Sequence, residues 1–249
     1  MQAARRSPRP AEVKFARKII VSRRLKQAER ETVRRPTLSV VRRVALTVSV
    51  LAACWLVALS ATVATGLPPS PPTVNATERA LKRLTVTPAG SLTGYSRERF
   101  GGGWASTTNG CDVRDRVLIR DGRQIKTGRD CRITGRWRSI YDAKILTAAR
   151  GVDIDHVVPL AEAWRSGARR WNDTRRERFA NDLREPQLIA VSASSNRSKG
   201  DSPPQEWKPP RRVVWCLYAR WWIDVKSNWK LTVTAAETRA LKMMLTTCA

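Results

Sequence analysis

Histidine is almost absent: residue 156 is the only one in 249. That excludes any multi-histidine zinc site, and no CxxC pair offers a zinc knuckle instead. Methionine is nearly as scarce; Met1 is the only one before Met243, and a start at Val33 or Val40 would leave a leader of ordinary length. Acidic residues are few, 21 against 47 Lys and Arg, for a formal charge of +26. Residues 44–65 carry no charge at all. The excess is not confined to one tail, since residues 66–249 still hold 33 basic against 18 acidic side chains. Such a surface favours a polyanion, nucleic acid or an anionic envelope polymer, over an acidic or neutral partner.

Four segments follow from composition. Residues 1–43 are Arg-rich, broken by Pro8, Pro10 and Pro36, and too polar to supply a core. Val44–Thr65 is 22 residues long behind Arg42-Arg43, enough to span a bilayer with the N-terminus in the cytoplasm. It reads either as an anchor or as a signal peptide cleaved near Ala61–Thr65, and Leu51-Ala-Ala-Cys54 also resembles a lipoprotein box. Residues 66–76 form a Pro-rich linker. Residues 77–249 are one domain's worth of chain.

Beyond the apolar stretch stand Cys111, Cys131, Cys216 and Cys248. An even number behind an export-like segment points to two disulfides. Three pairings are open. The sequential one is preferred, because each bond closes a modest loop at one end of the domain; four reduced thiols are the alternative.

The domain reads as mixed helix and strand. Helical patterns cover 77–84, 161–166, 174–179, 192–199, 213–225 and 235–245, the last with a Thr234/Glu237 capping box. Strands are expected within 111–120, ending in Val117-Leu-Ile-Arg120, and at 131–141, 152–158 and 187–191. Gly101–Gly103 reads as a loop anchored by Tyr95, Phe100 and Trp104. Trp137, Tyr141 and the tryptophans of 213–225 read as core rather than as stacking platforms for bases.

The chemistry gathers at Asp153-Ile-Asp-His-Val-Val-Pro-Leu160. Asp155 offers a hard oxygen ligand and His156 a neutral imidazole able to take a proton from water. Adjacent strand residues face opposite ways, so a shared site calls for local twist or a bulge. Asn181 and Asn196 could add an amide oxygen. Lys199, one helical turn after Asn196, and Arg197 could carry charge to a phosphate.

Asp155-His156-Val-Val-Pro-Leu160, Asn181-Asp-Leu183 and Asn196-Arg-Ser-Lys-Gly200, in that order, resemble the HNH (His-Me finger) nuclease signature. The whole of about 91–248 resembles the family related to the C-terminal domain of GmrSD-type restriction endonucleases, many actinobacterial members of which are exported. The resemblance implies an α+β domain around a ββα-metal core, stabilised by disulfides. It implies Asp155 and Asn196 as ligands of Mg²⁺ (or Mn²⁺), His156 as general base, Asn181 as the residue that steadies the loop and histidine, and Lys199 as an accompanying basic residue. Asn196 stands where the HNH name has its final histidine. Asp153 is either a supporting carboxylate or solvent-facing. The expected activity is hydrolysis of DNA, with RNA also possible, through backbone contacts and with little sequence preference. The protein would be secreted, or anchored outside the cytoplasm through residues 44–65. The rival readings are a non-catalytic nucleic-acid-binding protein and an envelope-associated one.

Overall fold

The computed structural model describes residues 69–248. The basic leader, the apolar stretch 44–65, Cys54 and the first three residues of the Pro-rich linker lie outside the described residues. Among the described residues, no helix is long and apolar enough to cross a membrane.

The elements run in the order α1 (Val74–Arg83), α2 (Val113–Asp121), β1 (Arg123–Thr127), β2 (Ile133–Arg138), β3 (Ile145–Leu146), β4 (Val152–His156), α3 (Leu160–Arg165), α4 (Asp173–Ala180), β5 (Leu188–Ser192), α5 (Ala193–Lys199), α6 (Trp215–Trp229) and α7 (Ala235–Leu245), with short 3₁₀ turns between. Strands β1, β2 and β3 form one antiparallel sheet, and β4 and β5 form another. The domain is therefore mixed α and β, as expected.

The β4–β5 pair divides two cores. One face carries Val152, Ile154, Leu188 and Ala190 against Val113, Val117 and Leu118 of α2 and Trp137 of β2. The other carries Ile189 and Val191 into a larger cluster with Phe179, Trp221, Trp222, Leu241 and Met244. The tryptophans of α6 are thus core residues, as their spacing indicated. Phe100 is buried there too, so the glycine-rich loop is held by its aromatic anchor. Gly101 has φ +101°, and a Cβ on it would lie 2.8 Å from the Glu177 side chain, so the loop can lie this close to α4 only as glycine.

Residues 117–120 are not a strand. They complete α2, whose N-terminus is closed by a capping box between Asp112 and Asp115. Val113 and Val117 fall four apart and both face the core. The β-branched run favours a strand locally, but the cap and the helical spacing of the buried residues win. The C-terminus of α2 then serves β5: Asp121 accepts from Ala190 N–H at 2.8 Å and Arg120 donates to Leu188 O. The free edge of β5 is therefore covered rather than left to pair with another chain. The first helix begins three residues earlier than expected, capped by Thr73, and Arg220 of α6 donates to the carbonyls of Pro71 and Pro72 just ahead of it.

Both disulfides follow the sequential pairing, Cys111–Cys131 and Cys216–Cys248. The second ties the start of α6 to the end of the chain. The first secures the segment ahead of α2 to the start of β2.

Lys226 has no exposed surface and contacts Glu162 of α3 at 2.9 Å and Glu237 of α7 at 2.7 Å. It also donates to Thr232 O at 2.9 Å. Burial pushes the Glu237 carboxyl up and Glu162 adds to that, while Lys226 and the Trp222 indole hold it down. Removing the ammonium would strand two buried carboxylates. Lys226→Met should therefore cost about 3–5 kcal/mol, read as a fall in the urea midpoint at constant m-value; an unchanged midpoint would show that α3, α6 and α7 do not depend on this charge.

Candidate active site

The antiparallel register of β4 and β5 runs unbroken from Val152↔Ser192 to His156↔Leu188. Asp153 and Asp155 therefore share one strand face, and that face meets α5. Helix α5 follows β5 without a loop because Ser192 ends the strand and caps the helix, its hydroxyl accepting from Ser195 N–H. The same hydroxyl donates to Asp142 at 2.7 Å, and Ser195 Oγ donates to it at 3.0 Å. Partial burial raises the Asp142 carboxyl, but these hydroxyls and the Lys144 N–H outweigh it and bring the pKa down to about 2.

Asp155 is buried. Its Oδ1 accepts from Lys199 Nζ at 2.7 Å and its Oδ2 from the Tyr141 hydroxyl at 2.6 Å. Burial pushes the carboxyl up, against the pull of Lys199 and Tyr141. Burial likewise pulls the Lys199 ammonium down, against Asp155. Lys199 Nζ also donates to the backbone oxygen of His156 at 2.7 Å. With charges in contact and these further bonds made, the ionised pair is the form that the surroundings satisfy. The Tyr141 hydroxyl is driven well up by its burial and by Asp155, so it remains a donor.

His156 points the other way, as adjacent strand residues do. Its ring stacks on Trp104 at 5.5 Å and its Nε2 donates to Ala180 O at 2.9 Å. That tautomer leaves Nδ1 with the lone pair. Burial lowers its pKa to about 3; the Ala180 bond opposes this, while Arg97 and Lys199 add to it. The imidazole is therefore neutral at ordinary pH.

The expected bulge is not present. His156 is instead the last residue of β4, and it borders the same cavity of about 200 Å³ as Asp155 and Asn196. Arg97 and Arg197 bring positive charge to its rim, and Asp201 adds a carboxylate. Asn196 donates through Nδ2 to Asp153 Oδ2 at 3.2 Å, so Asp153 is engaged with α5 rather than merely solvated.

Two sequence-derived residues are not at the cavity. Lys199 points inward, so it holds Asp155 and the strand end instead of facing a phosphate. Asn181 accepts from Ala105 N–H at 2.9 Å through Oδ1 and donates to Glu177 O at 3.0 Å. It ties the end of α4 to the loop whose Trp104 covers His156. Tyr141, Trp104 and Arg97 were not singled out for the site from sequence. Each comes from a segment distant in the chain, and none carries a local motif.

The family model for the C-terminal domain of GmrSD restriction endonucleases matches residues 116–244. This chain belongs to that family. An "Uncharacterized secreted protein" of Arthroderma benhamiae is 47% identical over 201 residues, which cover 80% of this chain and 97% of that protein. No solved structure matches the chain.

A nuclease family implies a divalent cation in general, and the donors present fit one. Asp153 and Asp155 share a strand face, and the Asn196 amide oxygen accepts no hydrogen bond among the described residues. Each Asp155 oxygen keeps a further lone pair beyond the one bond it accepts. An all-oxygen set of this kind suits a hard cation. Among the described residues, the one cluster of three Cys, His, Asp or Glu ligand atoms at metal-binding distance is Cys111, Asp115 and Cys131, and its sulfurs are joined to each other.

Asn181→Ala would leave the Ala105 N–H without its acceptor and release the Trp104 loop. Expected are a loss of about 1–2 kcal/mol in stability, and a shift in the ring NMR signals of the single histidine. Ring signals equal to wild type would show that the loop does not position His156.

Proposed function

We propose that the protein is a divalent-metal-dependent endonuclease that hydrolyses phosphodiester bonds of DNA with little sequence preference. The observation that carries this reading is the convergence of Asp155, His156 and Asn196 on one arginine-rimmed cavity, built by β4, β5 and α5. Strand, strand and helix in that succession support reading it as a ββα-metal finger. Membership of a restriction-endonuclease family supports the same class.

Asp155 and Asn196 would hold Mg²⁺, or Mn²⁺ in its place, with Asp153 steadying Asn196. When bound, the cation supplies positive charge to the scissile phosphate and the departing 3′ oxygen. His156 takes the proton of the attacking water through Nδ1, while its Nε2 bond to Ala180 O and the Trp104 ring fix the imidazole plane. Arg97 and Arg197 bind the phosphoryl oxygens. Lys199 and Tyr141 keep the Asp155 carboxylate ionised and in place. The products would carry 5′-phosphate and 3′-hydroxyl ends. Recognition through the backbone accounts for the expected lack of sequence preference. Two disulfides suit an oxidising compartment and support a location outside the cytoplasm, which residues 44–65 would serve as signal peptide or anchor.

The test is nicking of supercoiled plasmid by the oxidised protein with Mg²⁺, with Mn²⁺ and with EDTA, beside His156→Ala. Expected is metal-dependent nicking that DNA ligase can seal, lower by about 10²–10⁴-fold in the variant, with DNA binding intact. Cleavage that persists in EDTA or in His156→Ala would remove the mechanism. Salt-sensitive binding without cleavage would leave a nucleic-acid-binding protein.

A further inference from the structure

A second hollow, of about 720 Å³, lies on the β1–β2–β3 sheet and is bordered by Arg123, Arg136, Arg138 and Arg211. Its construction follows from the alternation of β2. Ile133 and Trp137 face inward, and Thr134, Arg136 and Arg138 face out. The register sets Arg123 directly opposite Arg136. Like charges in that position destabilise a sheet. Gln124, at φ +54°, sits in the bulge between Arg123 and Lys126. Bulges re-aim side chains and are costly to keep without a use.

No carboxylate relieves this repulsion. Among the described residues, Arg123, Arg136 and Arg138 make no ion pair and no side-chain hydrogen bond. Asp121 borders the hollow, but its carboxylate is taken by Arg120 and by the Ala190 N–H. Some arginines do pair, as in Arg165–Glu162 and Arg120–Asp121, but most among the described residues do not; what marks Arg123, Arg136 and Arg138 is that the strand register and the alternation of β2 gather them on one concavity. Four guanidiniums around one concavity without a counter-charge call for an anion with several charges. A phosphodiester backbone meets that need, since each guanidinium can grip a phosphate through two N–H groups.

The hollow and the cavity that holds His156 share no lining residue, but they are linked through the interior. Arg211 N–H donates to Tyr141 O at 3.2 Å, and the Tyr141 hydroxyl reaches Asp155. The buried Tyr141 thus ties the backbone at Arg211 to the Asp155 carboxylate.

We infer that this arginine groove is a second DNA-binding site, which holds the backbone of the duplex flanking the bond to be cut. The inference rests on the nuclease reading of the His156 cavity and supplies the grip that the small cavity lacks. It gives the enzyme affinity without sequence preference, and places the cost of the Arg123–Arg136 repulsion in the free protein, to be relieved by phosphate.

The test is fluorescence anisotropy of a labelled DNA duplex with the full chain, in EDTA so that no cleavage intervenes, across a salt series. The groove variant is Arg123→Gln/Arg136→Gln/Arg138→Gln. The charge-matched control is Arg79→Gln/Lys82→Gln/Arg83→Gln on the exposed side of α1. The groove variant should bind at least about tenfold more weakly near 0.1 M salt, with a log Kd against log salt slope shallower by about 2–3. Its Tm should equal or exceed that of the wild type, because a repulsion has been removed. The control should change less on both counts. Wild-type affinity and slope in the groove variant, or an equal loss in the control, would overturn the groove. Plasmid nicking is scored separately: groove-dependent binding without cleavage removes the nuclease reading and keeps the groove, whereas cleavage with groove-independent binding does the reverse.

Discussion

The buried contact between Lys199 and Asp155 is the constraint on which the site depends. A lone carboxylate in this interior would protonate or cost several kcal/mol. A lone lysine would fare no better. Together, with the Tyr141 hydroxyl on one side and the His156 carbonyl on the other, they are satisfied. The pair joins the end of α5 to the end of β4, so the residues that α5 and β4 present are held in fixed relation. Replacing such a pair by apolar side chains is often no loss to stability. Its retention makes sense because it keeps a carboxylate ionised beside a neutral histidine.

The two faces of β4 then divide the labour. One sends Asp153 and Asp155 to α5. The other sends His156 under Trp104. Only at the strand's last residue do both border one space, and this is why the site lies at the end of the strand and not along it. The cover over His156 comes from afar: Asn181 holds the Trp104 loop, and the residue before it, Ala180, accepts the histidine's proton-bearing nitrogen. A polar contact at α4 thus fixes the tautomer and the ring plane together.

Charge is handled differently in the two sheets. The buried ammonium groups described above each meet acceptors, as Lys226 and Lys199 do with carboxylates and backbone oxygens. On the outer face of β1–β2 the arginines stand opposite one another. A protein of this net charge could not pair them all, and the register sets part of the surplus around one concavity.

Much was legible in the chain itself. The strand at Asp153–His156, the capped helix bearing Asn196, the final capping box and the sequential disulfides each rest on local signals: alternation, a serine before a helical run, Thr234 with Glu237, and short loops. The order of Asp155-His156, Asn181 and Asn196 marked the family for the same reason. Residues 117–120 were misread because Val, Leu and Ile favour a strand until the Asp112 cap and the packing against β5 are counted. The inward turn of Lys199, the Tyr141 hydroxyl on Asp155, the Trp104 cover and the facing arginines of the groove have no local signal. They are contacts between segments far apart in sequence, set by strand register and core packing, and only the folded chain decides them.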